Sequence, residues 1–133
     1  MNAKQVVAKT YELFGNGEME AWTETIDDNI VFTLPGDKHP FSGIYKGKQA
    51  MLEVFAKIPE AWDNFQVEPE LMISEGNKVF VRVRAKADGM DTIFGHYFEI
   101  NDEGKTVVFT AHDDTLSSYN AMTVSYTHLT LPT

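Results

Sequence analysis

The chain of 133 residues contains no cysteine, so neither a disulfide framework nor thiol chemistry is available to it. This composition fits a reducing compartment, and we predict a cytoplasmic protein. Basic residues are also scarce, since 11 Lys and Arg stand against 20 Asp and Glu and the net charge is −9. Nucleic acids and anionic membranes bind basic surfaces. We therefore predict that neither is a partner.

Long apolar runs and the common cofactor motifs are missing as well. No segment reaches the apolar length that spans a bilayer, and the first residues, MNAKQVVAKTYELF, lack the continuous apolar core of a signal peptide. There is no Walker loop, no G-x-G-x-x-G and no Ser-His-Asp pattern. The spacing of His39, His96 and His112 matches no known metal-ligand set. We predict neither a metal nor another cofactor.

The end of the chain, VSYTHLTLPT at positions 124–133, differs from the rest. It carries no charge and continues no earlier pattern. It resembles, residue for residue, the translation of a transposase adapter used in sequencing libraries; a genuine C-terminus is the alternative. We assign no function to Tyr126 or His128. We predict a single domain over residues 1–122, long enough for one core, and a non-native tail over residues 123–133.

Hydrophobic periodicity divides the remaining chain into helices and strands. Helical spacing predicts helices over residues 2–14, 18–26 and 48–58, with Asn2 as the N-cap of the first and Pro59 at the end of the third. Short or alternating apolar runs predict strands over residues 30–34, 43–46, 65–74 and 79–85. This order indicates an α+β fold whose curved antiparallel sheet wraps around the N-terminal helices.

Residues 95–116 are the most informative stretch, because two alternating runs flank the turn sequence NDEG and so predict a β-hairpin. If Ile100 pairs with Lys105, one face of the hairpin is mostly apolar but contains His96 and Asp113. The opposite face carries polar residues, among them Tyr97, Glu99, Thr110 and His112. Polar groups on an apolar face require a reason, and a lined pocket is one such reason.

The segments YELFGNGEMEAWTETIDDNIVFTLPG, PFSGIYKGKQAM and FEINDEGKTVVFTAHDDTL together resemble the nuclear transport factor 2-like superfamily, nearest to its SnoaL-like and ketosteroid isomerase-related branch. The resemblance covers nearly everything from Val6 to Leu116. It implies a cone-shaped α+β barrel with a deep apolar pocket at its wide end. It also implies a homodimer through the convex sheet face, which here would carry Arg82, Arg84, Tyr97, Glu99, Thr110 and His112.

The catalytic residues of these relatives are matched only in part. Ketosteroid isomerase uses a carboxylate base on its first strand, with a Tyr and a protonated Asp as donors. The corresponding positions here fall on Thr33, next to Tyr11 and on His96. A threonine hydroxyl cannot replace the base, so steroid isomerisation by that mechanism is disfavoured. The Asp-Arg-Asp set of limonene epoxide hydrolase-like members is disfavoured too, because Arg82 and Arg84 are predicted to lie outside the cone.

His96 and Asp113 are the candidate catalytic residues. An imidazole titrates near neutrality, so His96 can transfer a proton or donate to a carbonyl; it can equally orient a ligand or satisfy a core partner. A buried Asp113 can act as acid or base. The alternatives are a solvated carboxylate at the strand end, or an N-cap within Asp113-Asp114-Thr115. Spacing along the strands predicts that Asp113 is too far from His96 for a direct pair.

A further set of residues is predicted to bind the substrate. His39 reaches the pocket only if its loop folds over, and an exposed loop histidine is the alternative. The set comprises Phe14, Trp22, Thr33, His39, Tyr45, Met51, Phe55, Met72, Phe94 and Phe109.

Two functions follow as hypotheses. The first is cofactor-independent acid/base catalysis on a small apolar or carbonyl-bearing molecule, as in isomerases, cyclases or dehydratases. The second is a non-catalytic ligand-binding or dimerisation module. The polar residues on the inner face favour the first, and the missing carboxylate at Thr33 favours the second.

Overall fold

A computed structural model of the protein describes residues 1–123; the segment 124–133, predicted above to be a non-native tail, lies outside the described residues. The elements follow one another as α1 (Ala3–Gly15), α2 (Met19–Glu24), β1 (Ile26–Leu34), β2 (Gly43–Lys46), α3 (Lys48–Phe55), α4 (Ile58–Ala61), β3 (Gln66–Glu75), β4 (Lys78–Ala87), β5 (Met90–Ile100), β6 (Thr106–His112) and α5 (Thr115–Asn120).

The six strands form one sheet in the order β2-β1-β6-β5-β4-β3, and α1 packs against β3, β4 and β5. The predicted α+β class is confirmed. The expectation that the whole sheet is antiparallel needs correction, because β1 and β6 run parallel while the other neighbours are antiparallel. A parallel pair needs a long connection, and everything from β2 to β5 lies between these two strands. The sheet also stays open, so helices complete the wall of the expected barrel.

The helix ends agree with the sequence-based prediction for α1 and differ from it for the later helices. Asn2 caps α1 in a capping box: its side chain accepts from the backbone N–H of Gln5, and the Gln5 side chain accepts from the backbone N–H of Asn2. The predicted third helix ends earlier, at Phe55, because Pro59 lies in the first turn of α4 rather than at a helix end. Helix α5 was not among the predicted helices, but the alternative of an N-cap within Asp113-Asp114-Thr115 is confirmed. The helix begins after Asp114, whose carboxylate accepts from the Ser117 N–H.

The β5–β6 hairpin has a different register from the predicted one. Ile100 pairs with Thr106 instead of Lys105, and Glu99 pairs with Val108, so a bulge lies at Val107. The bulge turns Thr106 to the inner face. It also carries the end of β6 towards His96, because the longer turn and the bulge shift every later residue of the strand along β5.

The outer face of the sheet carries the residues predicted for a dimer interface. Arg82 and Arg84 contact Glu70 of their own chain at 3.5 and 3.3 Å. Beside these ion pairs, large apolar side chains are exposed on the same face: Leu71 (46%), Ile73 (60%), Phe80 (43%) and Ile93 (44%). The homodimer stays a prediction. Among residues 1–123, no helix has the length and apolar character needed to cross a bilayer.

Candidate functional site

A cavity of about 100 Å³ lies between the helices and the inner face of the sheet. Its wall is largely apolar and aromatic, and most of the predicted site residues belong to it: Phe14, Trp22, His39, Met51, Phe55, Phe94, His96, Phe109 and Asp113. Their common position follows from the alternation of β5 and β6, which turns every second residue inward, and from the buried stripes of α1 to α3. The site is therefore one cavity, assembled from both halves of the chain.

Aromatic packing fills much of the interior. Phe14 meets Trp22 with ring centroids 5.4 Å apart, and Trp22 meets Phe55 at 5.1 Å. Phe109 packs on Phe98 at 4.7 Å. The remaining space is smaller than the cavity of about 150 Å³ that holds benzene in an engineered protein. A ligand therefore has to be small, or the aromatic wall has to move to admit it.

Three predicted binding residues do not line the cavity. Thr33 alternates with the inward-facing Phe32 and Leu34 and points to the other side of β1. Tyr45 stacks on Phe32, but its hydroxyl donates to the Phe41 carbonyl at 2.7 Å and so fastens the preceding loop. Met72 packs against the core without reaching the cavity. The structure therefore places Thr33, Tyr45 and Met72 outside the cavity wall, which corrects their predicted role as binding residues.

The polar centre of the cavity is a chain of three side chains. The Tyr11 hydroxyl lies 2.6 Å from His96 Nδ1. His96 Nε2 lies 3.3 Å from Asp113 Oδ1. The direct contact between His96 and Asp113 corrects the expectation that they are too far apart. The longer turn and the bulge at Val107 together shift β6 along β5 and bring the two residues into contact. Asp114, not Asp113, provides the helix cap, so the two neighbouring carboxylates have separate tasks.

The hydrogen bonds define the protonation of this chain. A carboxylate can only accept, so His96 Nε2 carries the proton that points to Asp113, and Nδ1 is left to accept from the Tyr11 hydroxyl. The His96 ring is held edge-on against Phe109, with centroids 5.0 Å apart. Burial raises the pKa of Tyr11 well above its usual value, and the negative charge of Asp113 raises it further. Tyr11 is therefore a neutral hydroxyl at rest.

His39 is the second polar side chain that reaches the cavity. The alternative of an exposed loop histidine is wrong, since His39 is only 7% exposed. The backbone N–H of Phe41 donates to its Nδ1 at 3.0 Å. Its ring stacks on Trp62 at 6.0 Å and meets Tyr119 edge-on at 6.5 Å. Burial lowers the pKa of His39 from 6.5 to about 4, and the charge of Asp113 opposes this only in part.

Several residues of the cavity wall were not predicted from the sequence. Tyr11 was noted only as a neighbour of a family position, although its place on the buried stripe of α1 shows that its ring faces inward. Trp62 follows α4, and its Nε1–H donates to the Ser118 carbonyl at 2.7 Å, which holds α5 over the cavity. Thr106 faces inward because of the bulge, for which the sequence carries no separate signal.

A protein-family model described as the SnoaL-like domain matches residues 7–116, which is most of the chain. The chain belongs to the SnoaL-like domain family. The resemblance found in the sequence is thereby confirmed. No curated protein sequence matches this SnoaL-like chain.

Solved structures show the same fold. Bal32a, from a soil-derived mobile gene cassette, is similar with a TM-score of 0.80 and 22% identity over 91% of this chain and 96% of that one. TerC, co-crystallised with polyporic acid, is similar with a TM-score of 0.78 and 18% identity, over 90% of this chain and 96% of that one. A putative polyketide cyclase from Sinorhizobium meliloti is similar with a TM-score of 0.65 and 20% identity, over 80% of this chain and 93% of that one. Because one fold hosts many reactions, these similarities establish architecture and leave the chemistry to the residues.

The described residues hold no group of three or more His, Asp or Glu side chains placed to bind a metal ion. The expectation that the domain works without a metal or another cofactor stays a prediction.

Proposed function

We propose that this SnoaL-like domain binds a small, mostly apolar carbonyl compound in its cavity and transfers protons on it, as isomerases, cyclases and dehydratases do. The observation that carries the proposal is the chain Tyr11–His96–Asp113, with contacts of 2.6 and 3.3 Å inside an apolar cavity. In Ser-His-Asp triads, a hydroxyl, an imidazole and a carboxylate in the same order allow the imidazole to take the proton of the hydroxyl.

The step assigned to Tyr11 is a proton transfer from the ligand to the hydroxyl, coupled to a proton transfer from the hydroxyl to His96. Tyr11 Oη takes a proton from the carbon next to the ligand carbonyl while its own proton moves to His96 Nδ1. The ligand becomes an enolate, and the imidazolium of His96 is stabilised by the carboxylate of Asp113. Return of the proton from His96 to Tyr11, and from Tyr11 to another carbon of the ligand, completes an isomerisation. Tyr11 is the catalytic residue in this scheme, His96 receives the proton, and Asp113 holds the imidazole in the required tautomer.

The surroundings support this division of roles. The interior has a low effective dielectric, so the charge of Asp113 acts strongly on its neighbours. It raises the pKa of Tyr11, which keeps the resting hydroxyl neutral, and it stabilises His96 when that ring becomes positive. The named relatives add support of another kind: one is called a putative polyketide cyclase and another a putative ketosteroid isomerase from Kribbella flavida. Both names describe chemistry on carbon next to carbonyl groups.

Exchange of hydrogen for deuterium tests the proposal without knowledge of the natural substrate. Cyclohexanone is incubated with the protein in deuterium oxide, and the loss of the proton NMR signals next to the carbonyl is followed. The wild type should accelerate exchange above the buffer rate. Positioned acid/base groups contribute about 10² to 10⁴-fold, so Tyr11→Phe and His96→Gln should lose most of the acceleration.

Tyr97→Phe is the matched control, because Tyr97 lies on the outer face of the sheet, where its hydroxyl donates to Glu99. This variant should exchange cyclohexanone as fast as the wild type. Equal rates for the wild type and Tyr11→Phe would refute the assigned role of Tyr11. Asp113→Asn should retain binding of cyclohexanone and lose exchange, since both the stabilisation of the imidazolium and the control of the His96 tautomer are removed.

The alternative is a module that binds a small ligand without transforming it. Its support is that both ring nitrogens of His96 already have protein partners and that the cavity is only about 100 Å³. In that case cyclohexanone shifts the NMR signals of cavity residues, but neither the wild type nor any variant accelerates exchange.

A further inference from the structure

His39 has one ring nitrogen engaged and one that is not. Its Nδ1 accepts the backbone N–H of Phe41 at 3.0 Å, so the proton of the neutral ring resides on Nε2. Nε2 is buried and lacks a hydrogen-bond partner among residues 1–123. A buried donor without a partner is costly, because it has lost its hydrogen bond to water without a replacement. His39 also lines the cavity, so the partner that would satisfy this donor is a molecule inside it.

The ring cannot easily turn away to find another partner. Trp62 stacks on one side of it at 6.0 Å, Phe41 lies against it at 5.6 Å, and Tyr119 meets it edge-on at 6.5 Å. The bond from the Phe41 N–H further fixes its orientation. Tyr45 holds the same loop through its bond to the Phe41 carbonyl. The donor is therefore preorganised, as recognition groups in binding sites are.

We propose that the Nε2–H of His39 is the recognition donor of the cavity and binds the oxygen of an uncharged carbonyl group on a planar or near-planar ligand. This assignment rests on the binding part of the proposed function and does not require catalysis. The aromatic walls suit flat molecules. The donor selects an acceptor, and it rejects an analogue without one, because the N–H is then left unsatisfied.

The charge of the ligand follows from the groups that face His39. Burial keeps its pKa near 4, so the ring is neutral under physiological conditions and offers one hydrogen bond rather than a positive charge. The Tyr119 ring beside it is uncharged, and the carboxylate of Asp113 is the charged group that acts on it. A carboxylate ligand would be repelled by Asp113 and would find no cation at His39. A neutral aldehyde, ketone or quinone-type oxygen fits both conditions.

Benzaldehyde and styrene are the probes for this assignment, because they share size and shape while only benzaldehyde carries an oxygen. Both are larger than the cavity of about 100 Å³, so the aromatic wall has to move equally for each of them. His39→Asn is the variant, since the Asn side chain can still accept from the N–H two residues on but does not extend to the Nε2 position. Dissociation constants are measured by NMR titration. His39→Asn should raise the dissociation constant of benzaldehyde about fivefold, the factor expected from one neutral hydrogen bond. The dissociation constant of styrene should change less than about twofold.

His112→Asn is the matched control, because His112 is exposed on the outer face opposite Gly95. It should leave both dissociation constants unchanged. A measurement without any substitution gives a second test: in the wild type, benzaldehyde should shift the NMR signal of the His39 Nε2–H, and styrene should not.

Equal weakening of both probes by His39→Asn, an unchanged constant for benzaldehyde, or no saturable binding of benzaldehyde by the wild type would overturn the assignment. The results separate it from the proposed function. If the cavity binds both probes and His39→Asn has no selective effect, only the His39 assignment fails. If His39→Asn is selective but no protein accelerates exchange on cyclohexanone, catalysis fails and recognition stands.

Discussion

Acidification should destabilise the protein through His39. The pKa of this ring is about 4 in the folded protein and 6.5 as its ordinary value. Between these values the unfolded chain binds a proton at position 39 and the folded chain does not. The free energy of unfolding therefore decreases as the pH falls through this window. Above pH 6.5 the ring is neutral in both states, and the stability is not reduced by protonation of position 39.

The size of the effect follows from the same two values. Linkage gives a loss of about 2 kcal/mol between about pH 7 and about pH 4.5 if the whole shift is realised. Water that reaches the ring reduces part of this loss, so we expect about 1–2 kcal/mol. His39→Asn removes this titration while keeping an acceptor for the Phe41 N–H.

Urea unfolding of the wild type and His39→Asn at several pH values isolates the contribution. Other groups titrate in the same range; for example, hydrogen bonds from Thr92 and Ser117 lower the pKa of Asp114, which also makes stability fall in acid. Such groups are shared by both proteins and cancel in the difference between them. The stability advantage of the wild type should shrink by about 1–2 kcal/mol on acidification. A difference that is independent of pH would show that His39 is not held neutral by burial.

Three further predictions concern other parts of the molecule. Trp62→Phe leaves the buried Ser118 carbonyl without its donor and should cost about 1–3 kcal/mol in urea unfolding; unchanged stability would show that this bond does not hold α5. Thr106→Val removes a buried hydroxyl that has no partner in the described part of the chain, so the free energy of unfolding should rise by about 1 kcal/mol. A lower free energy of unfolding would show that the hydroxyl has a partner. The chain should be a homodimer through its outer face, so light scattering should give twice 15.0 kDa and Ile73→Glu should reduce this mass; a single-chain mass for the wild type would refute the dimer.

The inner face of the hairpin was predicted correctly because the observed register differs from the expected one by two residues, which returns each side chain to the same face: Phe98 pairs with Phe109 instead of Val107. His96, Phe98, Phe109 and Ala111 share a face in both the expected and the observed pairing. The register itself was not predictable from NDEG. In the structure the Asn101 side chain accepts from the N–H groups of Glu103 and Lys105, and this wider turn passes into a bulge that alternation cannot reveal.

Contacts between distant elements were beyond the reach of periodicity. The stripe of α1 shows that Tyr11 is buried, but not that its hydroxyl meets a residue 85 positions away. The burial of His39 has a similar origin, since its loop is drawn inward by Tyr45, Trp62 and Tyr119. Loops almost always run over the protein surface, so a loop histidine is expected to be exposed. Only the tertiary structure shows that this one is enclosed by rings from two other parts of the chain.

The distribution of buried polar residues is the strongest sign that the interior serves binding. Among residues 1–123 the buried polar side chains are His39, His96, Thr106 and Ser118, and all four line the cavity. A core selected for stability alone is better served by apolar residues, since two of these side chains hold polar atoms without a partner in the described chain. Replacing Thr106 should therefore stabilise the protein, whereas replacing Trp62, whose polar atom is satisfied, should destabilise it. The change in the free energy of unfolding should thus have opposite signs at these two buried positions of one cavity wall. This result is expected if the unsatisfied polar atoms of the wall are kept for a ligand.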